Sequence, residues 1–301
     1  MKSDLIIIRY SEIGLKAKFT RKTFENILQK NIKDILKKEK IIFNLNKTGG
    51  RFFIYTKEIK KTTIVLKKIF GIKSVSPCFK TDSSIDSMKK IALKVIKDKI
   101  NKDTSFALKV KREGNHDYTS QDVAIILGDE IVNKTNAKVN LSKPGIKLFI
   151  EIRQSNAFFF FEKILGPGGL PFGSQGKVLS LVQSKDNKFL STWYMMRRGC
   201  IPVFLTLEKE FIENIKTFTN KWHFNAEIVK CNKNTFYATI SKVISEYGCE
   251  AIITDHFLSD DYSEMLKVIT KLKNCVNVPL LQPLIIMDDS FIQEKNKEID
   301  L

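Results

Sequence analysis

Apolar and polar positions along this chain switch between helical and strand periods, and each switch marks a predicted element. Leu5–Ile8 is a short apolar run and predicts a buried strand. Phe24, Ile27, Leu28, Ile32, Ile35 and Leu36 recur at helical spacing and predict a helix capped by Thr20. A strand at Ile41–Leu45, a turn at Thr48-Gly49-Gly50 and a strand at Arg51–Tyr55 come next. A helix through Ile64, Val65, Leu66 and Ile69 follows, and Gly71 stops it. The β-α-β-β-α order of residues 1–76 is half of a ferredoxin-like layer.

Pro77 to Asp82 reads as a connector, and Ser84 or Asp86 starts a helix containing Ile91, Val95 and Ile96. A strand at Ser105–Val110, a polar loop at Asn115–Ser120 and a helix at Val123–Val132 come after it. Strands at Ile146–Ile152 and Ala157–Phe161 close this segment. The run Ala157-Phe158-Phe159-Phe160-Phe161 is explained more cheaply as a buried central strand than as a platform for stacking bases. The glycine-rich stretch Gly166–Gly173 marks a boundary, and beyond it strands and helices alternate. Strands are predicted at Val178–Val182, Pro202–Leu207, Ala226–Lys230, Ala251–Thr254 and Val278–Leu280. Helices are predicted at Leu190–Arg198, Thr235–Tyr247 and Tyr262–Leu272. That alternation argues for a parallel sheet covered on both faces. The expected architecture is an α+β ferredoxin-like domain (1–76), a second α+β domain (77–165) and a doubly wound α/β domain (166–301).

Charge changes the picture. The 301 residues carry a formal net charge of +18, placed unevenly. Residues 1–200 hold 40 Lys and Arg against 18 Asp and Glu, whereas residues 201–301 hold 11 against 15. A basic field over one part of a molecule suits a polyphosphate partner, although generic lysine use on solvated faces would give the same totals. The five cysteines show neither paired nor metal-ligand spacing, which points to a reducing compartment. The four apolar residues before Arg9 are too few for a secretory signal, and no run approaches the roughly 20 residues that span a bilayer. A cytoplasmic protein with no membrane partner is expected.

At three places the residues resemble a known family. Arg9-Tyr10-Ser11-Glu12-Ile13-Gly14-Leu15-Lys16, with Arg21 and Phe24-Glu25, resembles the opening of tRNA 4-thiouridine sulfurtransferases. The stretch Phe106–Ser120 resembles the core of their THUMP domain, an RNA-binding module. Gly166 to Leu181, with Met195-Met196-Arg197-Arg198-Gly199-Cys200, is similar to the family's linker into its catalytic domain. The resemblance implies that the first two domains hold tRNA near its acceptor end. It also implies an α/β domain that activates a uridine with ATP before a cysteine persulfide delivers sulfur.

The nucleotide loop departs from that pattern. The family carries a Ser-Gly-Gly-x-Asp-Ser loop after the first strand of the α/β domain. Paired glycines there permit positive φ and close approach of backbone amides to pyrophosphate, and an acidic residue helps hold Mg²⁺. Read without gaps, this chain places Gln183, Ser184, Lys185, Asp186, Asn187 and Lys188 at those positions. Both glycines are gone and Asn187 stands at the acidic position, so loss of ordinary ATP chemistry is expected. Lys185 and Lys188 as substitute phosphate donors, with ATP and Mg²⁺ retained, are the alternative. Thr254 to Asp261 likewise replaces the family's Gly-Glu motif, and with about 20 residues following Gln282 the family's catalytic-cysteine segment is expected to be missing. Cys200 follows two arginines but sits at a helix C-terminus, where the dipole disfavours a thiolate. His223 and His256 lack ligand companions, so neither a metal site nor a catalytic residue is assigned.

Candidate RNA contacts are Lys109, Lys111, Arg112, His116, Lys143 and Lys177. Lys109 and Lys111 alternate to one face of their strand, and each residue taken singly is equally compatible with a solvated surface. The expected partner is tRNA. A homodimer, and a separate modification enzyme or sulfur donor, stay open.

Overall fold

The structure is a computed structural model that describes residues 3–182, 189–207, 209–257 and 260–299. Two compact units emerge. The first holds the chain up to Tyr10, Lys33–Lys67 and Ile72–Gly166, and the second holds Ser11–Ile32, Lys68–Gly71 and the chain from Pro167.

The elements of the N-terminal part are β1 (Leu5–Arg9), α1 (Lys18–Lys38), β2 (Asn44–Thr48), β3 (Arg51–Tyr55), α2 (Ile59–Leu66) and β4 (Ser74–Asp82). After them come α3 (Ile85–Ile96), β5 (Ser105–Glu113), α4 (Ser120–Thr135), β6 (Lys138–Val139), β7 (Ile146–Arg153), β8 (Asn156–Phe160) and β9 (Ile164–Leu165). All nine strands join one sheet in the order β2-β3-β1-β4-β8-β7-β5-β6, with β9 on β4. The β5-α4-β7 crossover makes a parallel pair, Lys109 opposite Phe149 and Lys111 opposite Glu151. Residues of one parity, including Phe106, Leu148, Ile150, Ile152 and Phe159, pack beneath α3 and α4. The other parity gathers Leu5, Ile7, Phe53, Cys78, Phe158 and Phe160.

That second face is strongly curled. Phe53 on β3 and Phe158 on β8 are separated by β1 and β4, about 14 Å in a flat sheet. Their ring centroids are 4.8 Å apart, so the sheet rolls until the face meets itself. The phenylalanine run is therefore a buried central strand, with Ala157–Phe160 all inaccessible.

The second unit continues with β10 (Lys177–Val182), α5 (Leu190–Arg197), β11 (Ile201–Thr206), α6 (Lys209–Lys221), β12 (Glu227–Lys230), α7 (Phe236–Tyr247), β13 (Cys249–Ile253), α8 (Tyr262–Cys275), β14 (Leu280–Leu281) and α9 (Asp289–Glu298). Its sheet order, β12-β11-β10-β13-β14, is parallel throughout and reverses direction at β10, as a doubly wound fold requires. The Gly166–Gly173 stretch closes the end of α5. The Leu170 amide donates to the Arg197 carbonyl at 2.9 Å and Gly173 to the Gly199 carbonyl at 3.0 Å. Gly169 adopts φ +72°, and a Cβ there would lie 2.0 Å from the Arg197 carbonyl oxygen, so no other residue fits.

Several elements differ from the sequence expectation. Residues 77–82, expected as a connector, complete β4, a nine-residue strand between β1 and β8. Pro77 misleads because proline weakens a strand assignment, yet here it pairs opposite Ile6 inside the sheet. α1 begins at Lys18 with Thr20 inside it, β2 lies three residues beyond the expected Ile41–Leu45, and α2 ends at Leu66, well before Gly71. Helices α6 and α9 were not expected: α6 carries a helical period that was overlooked, Phe211, Ile215 and Phe218 all buried on one side, whereas α9 is polar over most of its length. Among the described residues, no helix is long and apolar enough to cross a membrane.

Candidate nucleic-acid interface

Lys109 and Lys111 project from β5, and Lys147, Phe149 and Glu151 project from the parallel neighbour β7 at the same parity. With Phe160 of β8 and Lys163 just beyond it, these side chains bound a pocket of about 240 Å³. The Phe149 and Phe160 rings stack at 5.3 Å and 8°, and the Lys163 ammonium lies over Phe149 at 4.5 Å. Lys147 and Lys163 were not among the sequence candidates. Lys147 was readable from the alternation Lys147-Phe149-Glu151-Arg153 against Leu148-Ile150-Ile152, but only once β7 is known to adjoin β5.

A buried charge cluster lies under this pocket. The Glu151 carboxylate accepts from Arg9 Nε at 2.9 Å, Arg51 Nε at 3.0 Å and Arg153 Nε at 2.7 Å. Arg9 also donates from Nη1 to Ser76 Oγ at 3.0 Å and lies 4.5 Å over the Phe160 ring, while its Nη2 is buried with no hydrogen-bond partner among the described residues. Arg153 pairs further with Glu113 at 2.6 Å. Burial alone would raise the Glu151 pKa, but the charges of Arg9 and Arg51 and the Arg153 bond together hold it at about 2. Neither Arg9 nor Glu151 was singled out as a buried pair from sequence, although one acid inside the apolar strand Leu148-Phe149-Ile150-Glu151-Ile152 signals a buried partner.

The other expected contacts do not join this pocket. Arg112 has the opposite parity to Lys111 and turns toward the loop, donating to the Gly114 carbonyl at 3.2 Å and lying 3.5 Å from His116 Nδ1. His116 meets the Gln154 carbonyl at 2.7 Å through Nε2, and its ring lies tilted against Tyr118 with centroids 5.1 Å apart. Lys143 is exposed in a turn that Asn140 organises by accepting the Lys143 amide at 2.9 Å. Lys177 opens β10 at the N-terminal edge of the second sheet, a whole strand away from the loop that follows Val182.

That loop, Gln183–Lys188, lies outside the described residues. Its flanks are defined. Phe189 adopts φ +58°, an uncommon conformation for a bulky residue, and is buried against Phe218 and Phe204. It precedes α5 with no side-chain cap bond. Behind it Ser180 and Thr192 share a buried hydroxyl bond of 2.7 Å, while the Ser191 and Thr254 hydroxyls are buried with no hydrogen-bond partner among the described residues. In the loop after β13, Asp260 accepts from the Phe257 amide and meets His256 Nδ1, both at 3.1 Å. Asp261 caps α8 through the Glu264 amide. Both carboxylates are thus engaged in local structure. Burial pushes the Cys200 thiol up, with Glu250 adding to it, and pushes Cys249 up to about 11.

Comparison with known proteins matches three family models in chain order. They are the ThiI ferredoxin-like domain over residues 5–76, the THUMP domain over 82–162, and Thiamine biosynthesis protein (ThiI) over 209–301. A relative from Methanocaldococcus jannaschii named "Probable tRNA sulfurtransferase" is 33% identical, the match covering 98% of this chain and 87% of that one. A namesake from Methanobrevibacter smithii is 31% identical over 96% and 84%. Among solved structures, PH1313 from Pyrococcus horikoshii superposes over the full length of both chains with a TM-score of 0.83 and 27% identity. A 4-thiouridine synthetase solved as an RNA complex with bound ATP shares the fold, with a TM-score of 0.78 and 23% identity over 99% of this chain and 85% of that one.

Proposed function

The chain belongs to the tRNA 4-thiouridine sulfurtransferase family, and on that premise we propose that it binds tRNA through its basic N-terminal region without ordinary ATP-dependent activation. Support for tRNA binding comes from the THUMP match and from the lysine-lined pocket on β5 and β7. One observation carries the loss of ATP chemistry: the six residues Gln183–Lys188 contain no glycine where the family needs two. Phe189, the residue that leads from this stretch into α5, has a positive φ and anchors its side chain in the core against Phe204 and Phe218. On this reading the residues do not fit a pyrophosphate cradle, and the protein serves as a tRNA-holding partner for a separate modification enzyme.

A filter-binding titration with tRNA beside an ATP–pyrophosphate exchange assay tests both halves. The expected result is salt-dependent tRNA binding with no exchange; absence of tRNA binding rejects the first half, and exchange rejects the second. A gain-of-function variant sharpens it. Changing Gln183→Ser, Ser184→Gly, Lys185→Gly, Asn187→Asp and Lys188→Ser is expected to create ATP binding that the parent lacks.

A second reading is an active uridine-thiolating enzyme with a divergent loop and an external sulfur donor. The Ser191 and Thr254 hydroxyls, buried with no hydrogen-bond partner among the described residues, favour it, because ligands of doubly wound folds bind at the C-terminal edge of the sheet. It predicts tRNA-dependent pyrophosphate release that Lys185→Ala or Asn187→Ala abolishes.

A further inference from the structure

We propose that the pocket bounded by Lys109, Lys111, Lys147 and Lys163 is a discrete phosphate-binding site, kept available because Arg9, Arg51 and Arg153 occupy the one carboxylate that borders it. Its occupancy by an RNA phosphate rests on the tRNA-binding reading; its affinity for phosphate does not.

Size decides first. Pockets for whole small molecules run about 300–1,000 Å³. At about 240 Å³ this one falls just below that range and has room for a phosphate. The floor decides next. Stacking a base requires an open ring face. Phe149 has Phe160 stacked beside it and the Lys163 ammonium over it, while Phe160 carries the Arg9 guanidinium. Both rings are already engaged by cations or by each other, so the polar groups that a ligand meets in this partly apolar pocket are chiefly ammoniums.

Charge completes the case. Among the described residues none of the four lysines forms an ion pair with a carboxylate. Glu151 is the only acid in the lining, and three guanidiniums already claim its two oxygens. Arginine suits that role better than lysine, since its fixed fork can bond Glu151 and still reach Ser76 or a backbone carbonyl. Among the described residues, the result is a cluster of like charges whose one neighbouring carboxylate is already shared by three arginines. Lys163 registers this: burial against the ring and the charges of Arg9 and Lys111 lower its pKa. A tetrahedral anion relieves that repulsion and accepts from several ammonium groups at once.

The test labels the amines of the full-length protein with acetic anhydride and reads each lysine by mass spectrometry. Lys94, exposed on α3 on the opposite face of the sheet, is the reference. Millimolar inorganic phosphate is expected to slow labelling of Lys147 and Lys163 at least severalfold while leaving Lys94 unchanged. Unchanged labelling at all three overturns the proposal. Deacylated tRNA distinguishes the source. If tRNA protects the same lysines, Lys147→Ala and Lys163→Ala should each weaken its binding about five- to eightfold at 0.1 M salt. Each should also lower the salt slope by about 0.7–0.9, as loss of one phosphate contact requires. Protection by phosphate alone supports the site with free phosphate as its ligand and overturns its use for an RNA phosphate, while the tRNA reading stands or falls on the binding titration. Tight tRNA binding with both variants unaffected and no phosphate protection sinks the pocket while leaving that reading intact. The role of the arginines has a separate readout. Arg51→Ala is expected to reduce phosphate protection by letting Glu151 turn toward the lysines. Adding Glu151→Gln restores the protection, a rescue that loss of stability alone would not produce.

Discussion

Replacing Glu151 by Gln removes the negative partner of three guanidiniums in the interior of the first unit. An ordinary glutamate near 4.5 is held at about 2 here, and the side chain is almost wholly inaccessible. At about 1.4 kcal/mol per pH unit, that depression is worth roughly 3 kcal/mol of stability at neutral pH. Removing one member of a buried ion pair costs about 3–5 kcal/mol, so two routes give the same size. The sign follows from the direction of the shift. Because the folded value is depressed, the contribution is complete above about pH 4.5 and is lost as pH falls through about 2. Glu151→Gln should therefore lower hydrogen-exchange protection of β1, β3 and β7 amides on the order of 100-fold at pH 7. The gap between parent and variant should close as pH falls from 4.5 toward 2. Tryptophan fluorescence is the wrong probe, since Trp193 and Trp222 both belong to the second unit. Peptide-resolved exchange is the right one. Protection within threefold of the parent at pH 7, or a gap that survives undiminished at pH 2, refutes the account of the cluster.

Other expectations follow from single contacts. Gly169→Ala places a Cβ against the Arg197 carbonyl oxygen at φ +72°, so the second unit should lose more than about 2 kcal/mol, read by thermal melting of Trp193 fluorescence. Ser180→Ala strands the buried Thr192 hydroxyl and should cost about 1–2 kcal/mol in the same assay, whereas an unchanged melt means the hydroxyls are hydrated. Iodoacetamide near neutral pH should modify the partly exposed Cys231 and Cys275 before Cys78, Cys200 and Cys249, because burial pushes the Cys78 thiol up to about 12 and Cys249 up to about 11. Early labelling of Cys200 instead would reopen it as a sulfur carrier.

The legible parts of this molecule were those whose signal is local. Leu5–Ile8, Arg51–Tyr55 and the phenylalanine run announce strands by composition alone, and the alternation after Gly173 announces a parallel sheet. The Lys109–Lys111 pairing on one face was also local, since period two requires it. What was hidden is nonlocal. Nothing near Pro77 tells that β4 inserts between β1 and β8, so the ferredoxin-like and THUMP-like portions looked separable although one continuous sheet runs through both. Lys147 and Lys163 join Lys109 only through the crossover that sets β7 beside β5. Arg9 reads as part of a family motif, yet its partner Glu151 is 142 residues away. Arg112 shows the converse error: adjacency in sequence grouped it with Lys111, and strand parity separates them.

The curled face joins these observations into one physical argument. Rolling the sheet brings β3 and β7 together across three intervening strands, and that closure carries Arg51 to Glu151. Had the sheet stayed flat, Glu151 would face Lys111, its partner across the β5–β7 pair, and the two would neutralise each other. Curvature hands the carboxylate to the arginines and leaves Lys111 uncommitted. The excess of positive charge in the first 200 residues therefore becomes a localised anion site by topology, through the removal of its nearest competitor. A fold that kept the same lysines but lost the β3–β7 closure would be equally basic and would bind phosphate less well. Arg51→Ala separates those two cases, because it takes away one charge yet should weaken phosphate protection at Lys163 more than Lys143→Ala, which removes the same charge from an exposed turn.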